Sequence, residues 1–298
     1  MLAMGLCCAW AGLAGRWHWS LDIFANFYWQ HGAFSVVALV VFSCKKMRFY
    51  VGLALATLLL NCWQISRFCY SSVGSNASEF SLHVLSYNVL CSNPNKSEVL
   101  EFLTHSEADI MILSEIDAEW GRALQPLTAV YSQYKISTAE DNFGLAVFSR
   151  LPLEKLQIEL LGDEFLPVAN LELMHQGTRL SVIGIHPPPP MGARLNARRN
   201  QQLSAVAHYA STLDHPVIVV GDMNATPWCY GMNLLRKEGL DFRTRANPCV
   251  PTWNARTIVA TPIDHGLCRA PLFIDRRIID EAHGSDHRAV HFYFGKNQ

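Results

Sequence analysis

Charge is scarce at the start of this chain. Before Ser81 the charged side chains are Arg16, Asp22, Lys45, Lys46, Arg48, Arg67 and Glu79 alone. Three apolar stretches lie between them: Met1–Gly15, Ala33–Cys44 (longer if Phe27–Trp29 are included) and Phe49–Trp63. Helices on a soluble core carry a polar face, and these runs lack one. Each is shorter than the ~20 residues of an ideal membrane span. Trp17, Trp19, Phe27, Tyr28 and Trp29 suit the aromatic belt that extends such a span at the bilayer interface. The reading is a membrane anchor over residues 1–68 with two or three hydrophobic segments, a linker over 69–80 and a globular domain over 81–298. A secretory signal peptide would account for Met1–Gly15 but not for the two later runs. The basic loop Lys45-Lys46-Met47-Arg48 belongs on the cytoplasmic side by the positive-inside rule. That places the domain outside the cytoplasm, although Arg16 and Arg67 then lie outside as well. Ser71–Ser78, with Gly74 and Asn76, has linker composition.

The remainder has ordinary globular composition. It holds 19 of the 24 Lys and Arg and 23 of the 25 Asp and Glu, a slightly acidic balance. Proteins that track nucleic-acid backbones are more often basic, because phosphate neutralisation supplies their affinity. A broad nucleic-acid surface is therefore disfavoured, whereas a small phosphate ester is not. The nine cysteines form no CxxC pair, which argues against a zinc site or a dense disulfide framework. Cys229 and Cys249 could form one bridge if the domain faces an oxidising compartment, and the sequence does not decide whether they pair.

Several short apolar runs in the domain close on a polar residue. Ser81–Tyr87 leads to Asn88, Asp109–Ser114 to Glu115, Leu180–Ile185 to His186, and Val217–Val220 through Gly221 to Asp222 and Asn224. Such runs read as buried strands. Helical patterns over Glu98–Leu103 and Leu195–Leu213 alternate with them, so the expected fold is an α/β sandwich. A single Asn or Asp after a strand is commonly a turn former. Glu115 and His186 are poor turn formers, and four strands delivering polar residues suggest one shared site.

Glu115, Asp222, Asp264 and Asp286 offer carboxylates, Asn88 and Asn224 amide oxygens, and His186, His265 and His287 imidazoles. An oxygen-rich set suits Mg2+ or Mn2+ better than zinc. A histidine oriented by a carboxylate is the expected general base toward water. Adjacent residues on a strand point to opposite faces, so Asp286 is badly placed to orient His287. Asp264, at the end of an expected strand Ile258–Ile263, is the better partner, which frees Asp286 for a metal or the substrate. Asp222 and Asn224, two residues apart, can face one phosphate together.

Ser86-Tyr87-Asn88, Ser114-Glu115, Gly221-Asp222-Met223-Asn224, Ile263-Asp264-His265 and Gly284-Ser285-Asp286-His287 occur in an order that resembles the endonuclease/exonuclease/phosphatase superfamily. Gly144–Arg150 and Asn224-Ala225-Thr226-Pro227-Trp228 look like its bacterial members with an N-terminal membrane anchor. The resemblance implies a four-layer α/β sandwich, two packed mixed sheets flanked by helices, and hydrolysis of a phosphodiester or phosphomonoester. It implies Glu115 as principal metal ligand with Asn88 and Asp286 beside it, and Asp222 and Asn224 handling water and phosphate. It makes Asp264 the residue that orients His287, and His186 a phosphate-binding histidine. The Pro187–Pro190 run departs from the family pattern, and Leu90 stands where some nucleases carry a second acid, which favours one metal. The implied partners are the bilayer and a phosphate ester, either a lipid head group or a nucleic acid. The rivals are a nuclease and a catalytically silent membrane-anchored binding module. Arg194, Arg198 and Arg199 are candidates for a second phosphate, Tyr131 and Tyr134 for the scissile one, and His265 is expected to fill structure.

Overall fold

The computed structural model describes residues 2–69, 79–161 and 166–297. The expected linker Ser71–Ser78 lies outside them. Helices α1 (Leu2–Ala11), α2 (Trp19–Ala25), α3 (Tyr28–Cys44) and α4 (Arg48–Cys69) precede the sheets. One sheet holds β1 (Leu82–Asn88), β2 (Ile110–Ser114), β3 (Gln133–Ser137), β4 (Leu145–Ser149), β10 (Leu272–Ile279) and β11 (Val290–Lys296), in the order β10-β11-β1-β2-β4-β3. The other holds β5 (Lys155–Leu160), β6 (Pro167–His175), β7 (Thr178–Ile185), β8 (Val217–Asp222) and β9 (Asp264–Cys268), in that order. Helices α5 (Lys96–His105) and α6 (Ala118–Ala123) flank the first sheet, and α7 (Ala193–Thr212) and α8 (Tyr230–Lys237) the second.

Side-chain alternation builds the layers. In β1, Leu82 and Val84 face the second sheet, where they meet Val182, Ile218 and Val220, while Leu85 and Tyr87 turn outward onto Val99, Leu103 and Trp120. In β8, Ile218 and Val220 face inward, whereas Val217 and Val219 pack under Leu203 and Val206 of α7. The same alternation carried to the strand ends turns Asn88 and Asp222 inward, into the seam between the sheets. Parallel pairing of β1 with β2 and of β7 with β8 brings those carboxyl ends to one edge.

The expected strand Ile258–Ile263 is not formed. Ile258 is 90% exposed in a loop, and Asp264 begins β9 rather than closing a strand. β-branched composition alone does not distinguish an exposed loop from a strand.

The helices before β1 share the domain's core: Ala25 and Tyr28 belong to the same buried cluster as Leu203, Val206, Met223 and Trp228. Asp22 binds Arg199 at 2.6 Å and accepts the Tyr230 amide at 2.7 Å. Asn26 Oδ1 accepts the Thr226 amide at 3.2 Å, and Trp228 Nε1 donates to the Gln64 carbonyl at 2.8 Å. Arg199 is therefore a docking residue, not a phosphate ligand. Cys249 pairs not with Cys229 but with Cys69, because the end of α4 lies against it. Cys229 is buried instead and donates to Asn26 Oδ1. By length and apolar composition α4 can cross a membrane, and α2 with α3, bent by 71°, passes the same test only as a pair. At 1.5 Å per residue, α1 is too short.

Candidate active site

The inward-facing strand ends meet in a buried polar cluster. Asp222 closes β8, and Gly221 before it has φ +150°, where a Cβ would sit 1.9 Å from the Ile185 carbonyl oxygen, so only glycine fits. Asp264 opens β9 directly opposite Asp222 in the antiparallel register. His287 enters from the segment before β11, its backbone bridged to Trp253.

His287 Nδ1 lies 3.0 Å from Asp264 Oδ2, and its Nε2 lies 3.4 Å from Asp222 Oδ2. His186, on the residue after β7, places its Nε2 3.4 Å from the same oxygen. Asn88 Nδ2 donates to Glu115 Oε1 at 2.9 Å and to Asp222 Oδ2 at 3.1 Å, while its Oδ1 accepts the Leu90 amide. That amide orientation follows from the surrounding carboxylates, which need a donor. Glu115 has φ +64°, an uncommon conformation for a side chain of its size, and is pinned by the Cys91 amide on Oε2 and by the Ile116 amide on the Gly144 carbonyl. Asn224, at φ +47°, gives its backbone amide to Asp222 Oδ1 and its side-chain amide to the Pro187 carbonyl.

Asp286 turns away from His287. Its Oδ2 accepts Trp253 Nε1 at 2.8 Å, and its Oδ1 is buried without a partner. His186 Nδ1 is also buried and unpartnered. Buried polar atoms are nearly always satisfied, so these two leave hydrogen-bonding or ligating capacity unused by the protein.

Burial alone would lower the pKa of His287, but the charges of Asp264 and Asp222 and the hydrogen bond to Asp264 outweigh it and raise it to about 10. Burial opposes ionisation of Asp222, yet His287 and His186 hold its carboxyl well below the usual carboxylate range. Asp264 is shifted upward, by burial first and then by the charge of Asp222. His186 is raised despite burial, through Asp222. The neighbouring charges therefore favour the protonated form of His287 and the ionised form of Asp222.

Two sets of residues could hold a cation. Asp222, Asp264 and His287 have ligand atoms within 4.8 Å of one another. In that set, however, Asp264 is already engaged by His287 Nδ1 at 3.0 Å. The set expected from the sequence, Glu115, Asn88 and Asp286, offers carboxylate oxygens of the kind that suit Mg2+ or Mn2+, and Asp286 Oδ1 has no protein partner, but Asn88 turns its Nδ2 toward Glu115 and gives its Oδ1 to the Leu90 amide.

Sequence reasoning missed Trp253, which orients Asp286 from a loop without local motif. Several candidates fall elsewhere. Tyr131 is buried with its hydroxyl on the Ser106 carbonyl, and Tyr134 stacks on Phe148. Arg194 is exposed on α7. His265 is buried with Nε2 on the Ala225 carbonyl, and its pKa is lowered to about 3, first by burial and then by Arg277.

Residues 85–287 match the family described as Endonuclease/Exonuclease/phosphatase family. The fold is similar to that of TDP2 from D. rerio complexed with a single strand DNA product, with TM-score 0.60 and 15% identity over 73% of this chain and 100% of that one. An endonuclease/exonuclease/phosphatase from Beutenbergia cavernae gives TM-score 0.60 and 16% identity, covering 73% of this chain and 72% of that one. The beta toxin of Staphylococcus aureus gives TM-score 0.52 and 15% identity, covering 71% and 99%. No curated protein matches the sequence significantly. At such identities these structures establish the fold alone.

Proposed function

The chain belongs to the endonuclease/exonuclease/phosphatase family, and on that premise we propose that it hydrolyses a phosphate ester by direct attack of water on phosphorus, without a covalent enzyme intermediate. The observation that carries this reading is the convergence of His287 and His186 on Asp222, with Asp264 behind His287.

Asp222, ionised at ordinary pH, takes a proton from the attacking water as the new P–O bond forms. His287, held as an imidazolium, donates from Nε2 to a phosphoryl oxygen and balances the charge that grows there. This differs from the expected general base, since two buried carboxylates keep its proton on. Its 3.4 Å spacing from Asp222, shared by His186, is long for a charge-assisted hydrogen bond and leaves both donors able to turn to a phosphate. Asn224 fixes Asp222 through its backbone amide. The leaving oxygen departs as the old P–O bond breaks and takes its proton from solvent. Glu115 and Asp286, with Asn88 if its amide turns to present Oδ1, would hold one divalent cation, Mg2+ or Mn2+, which when bound would polarise the phosphoryl group and stabilise its charge.

A cleft of about 560 Å³ adjoins Asp286 and is lined by Arg256 and Arg288 but also by Glu98 and Glu281. Mixed charge suits a compact head group more than a continuous polyanion. The DNA product in the TDP2 structure keeps a nuclease as the second reading.

We further propose that α3 and α4 cross a membrane with the catalytic domain outside the cytoplasm. Val36, Val37, Val40, Leu55, Leu59 and Trp63 are exposed along the hairpin. The Cys69–Cys249 disulfide suits an oxidising compartment, independently of the basic Lys45–Arg48 loop.

The test is hydrolysis of bis(p-nitrophenyl) phosphate, plasmid DNA and phospholipid vesicles with Mg2+ and with EDTA. Activity abolished by EDTA and by His287→Ala is expected, and activity that survives either would refute the mechanism. A reporter fused after Gln298 that works only in the cytoplasm would refute the orientation.

A further inference from the structure

Two apolar clefts share a wall at Ile23 and Phe27, and the inner one reaches Asn224 and Trp253 beside the candidate catalytic centre. The inner one, of about 260 Å³, is lined by Phe27, Pro190, Met191, Trp253, Ile263 and Asn224. The outer one, of about 400 Å³, is lined by Phe24, Phe34, Ile258 and Val259 and shares Ile23 and Phe27 with the first. The result is one apolar groove running from the site to the N-terminal helices, of a size that suits a small-molecule chain.

The inner end is tied to the chemistry. The backbone amide of Asn224 holds Asp222, the Trp253 indole holds Asp286, and the Pro189–Pro190 wall follows His186 in sequence. The proline run that departs from the family pattern thus forms a stiff side of this groove. The outer end opens beside α1 and α3, where the loop carries Ile258, 90% exposed, and Val259, 40% exposed. A loop tip of that kind, next to helices with apolar exposed faces, is suited to insertion in a bilayer rather than to water.

We propose that this groove holds the hydrocarbon chain of an amphiphilic phosphate ester, a lipid of the same membrane, while its phosphate lies at His287 and Asp222. The inference rests on the phosphoesterase reading above and adds the substrate class. The lipid reaches the site sideways, along α3 and past Phe27, without leaving an apolar environment.

The test compares methyl and hexyl p-nitrophenyl phosphate, both below micellar concentrations, with the full chain in amphipol and Mg2+, and bis(p-nitrophenyl) phosphate as a chainless control. A kcat/KM at least about tenfold higher for the hexyl ester is expected, since each buried methylene contributes to binding. Ile23→Trp and Phe27→Trp fill the groove; they should bring the hexyl ester down to the methyl value while methyl-ester turnover stays within about twofold. Equal wild-type values for the two esters, or tryptophan variants that slow both alike, would overturn the groove and leave the phosphoesterase reading standing. No cleavage of any of the three diesters would overturn that reading and the groove with it. Should a tryptophan variant not fold, the wild-type chain-length comparison still decides.

Discussion

Two buried ionic clusters lie on neighbouring parts of this molecule and are built to opposite standards. At the seam between α2 and α7, Asp22 spends one oxygen on Arg199 and the other on the Tyr230 amide, and Arg199 also reaches Asn200 and the Asn224 carbonyl. Each member has a partner. In the catalytic cluster Asp286 Oδ1 and His186 Nδ1 have none, Glu115 sits at positive φ, and two imidazoles crowd one oxygen of Asp222. A saturated cluster holds two parts of the chain together, whereas an unsaturated one keeps binding capacity in reserve for a ligand.

Substitution should separate the two. The largest effect is expected for Asp222→Asn or His287→Ala, each lowering kcat roughly 10³-fold, with a cooperative unfolding transition retained. Loss of fold in both variants, seen by calorimetry, would make the catalytic cluster as structural as the seam. Next, Asp22→Ala leaves Arg199 buried and unpaired and should cost about 3–5 kcal/mol in denaturant unfolding. Arg199→Met in the same background should restore part of it, and a neutral Asp22→Ala would remove the contrast.

The smallest effect is in pH. His83 is lowered to about 4 by burial and by His291, and His265 to about 3, so both are neutral in the folded state. Their contribution is present above the unfolded pKa of about 6.5 and is lost as pH falls toward those values. His287, raised to about 10, contributes fully below about 6.5 and loses its contribution as pH rises through 10. Unfolding free energy measured in EDTA should therefore fall on both sides, with the alkaline limb flattened in His287→Phe and the acid limb retained.

Much of the polar edge where the strands end was legible because each strand signals itself locally. β1, β2, β7 and β8 are runs of buried apolar residues, and period-two alternation decides which face Asn88 and Asp222 share. What stayed hidden depends on distant partners. Arg199 looks like a solvated helix residue until Asp22, from a different helix, reaches it. Cys69 ends an apolar helix, and nothing near it in sequence points to Cys249. The strand expected at Ile258–Ile263 fails for a related reason: its composition suits burial, yet the fold leaves Ile258 outside.

The Cys69–Cys249 bridge spans 180 residues and bypasses the stretch that joins α4 to β1. A protease cutting between Cys69 and Phe80 would nick the chain without dividing it. Separating the sheets from the N-terminal helices therefore calls for a reductant as well as a cut, and the seam at Asp22 must then still give way.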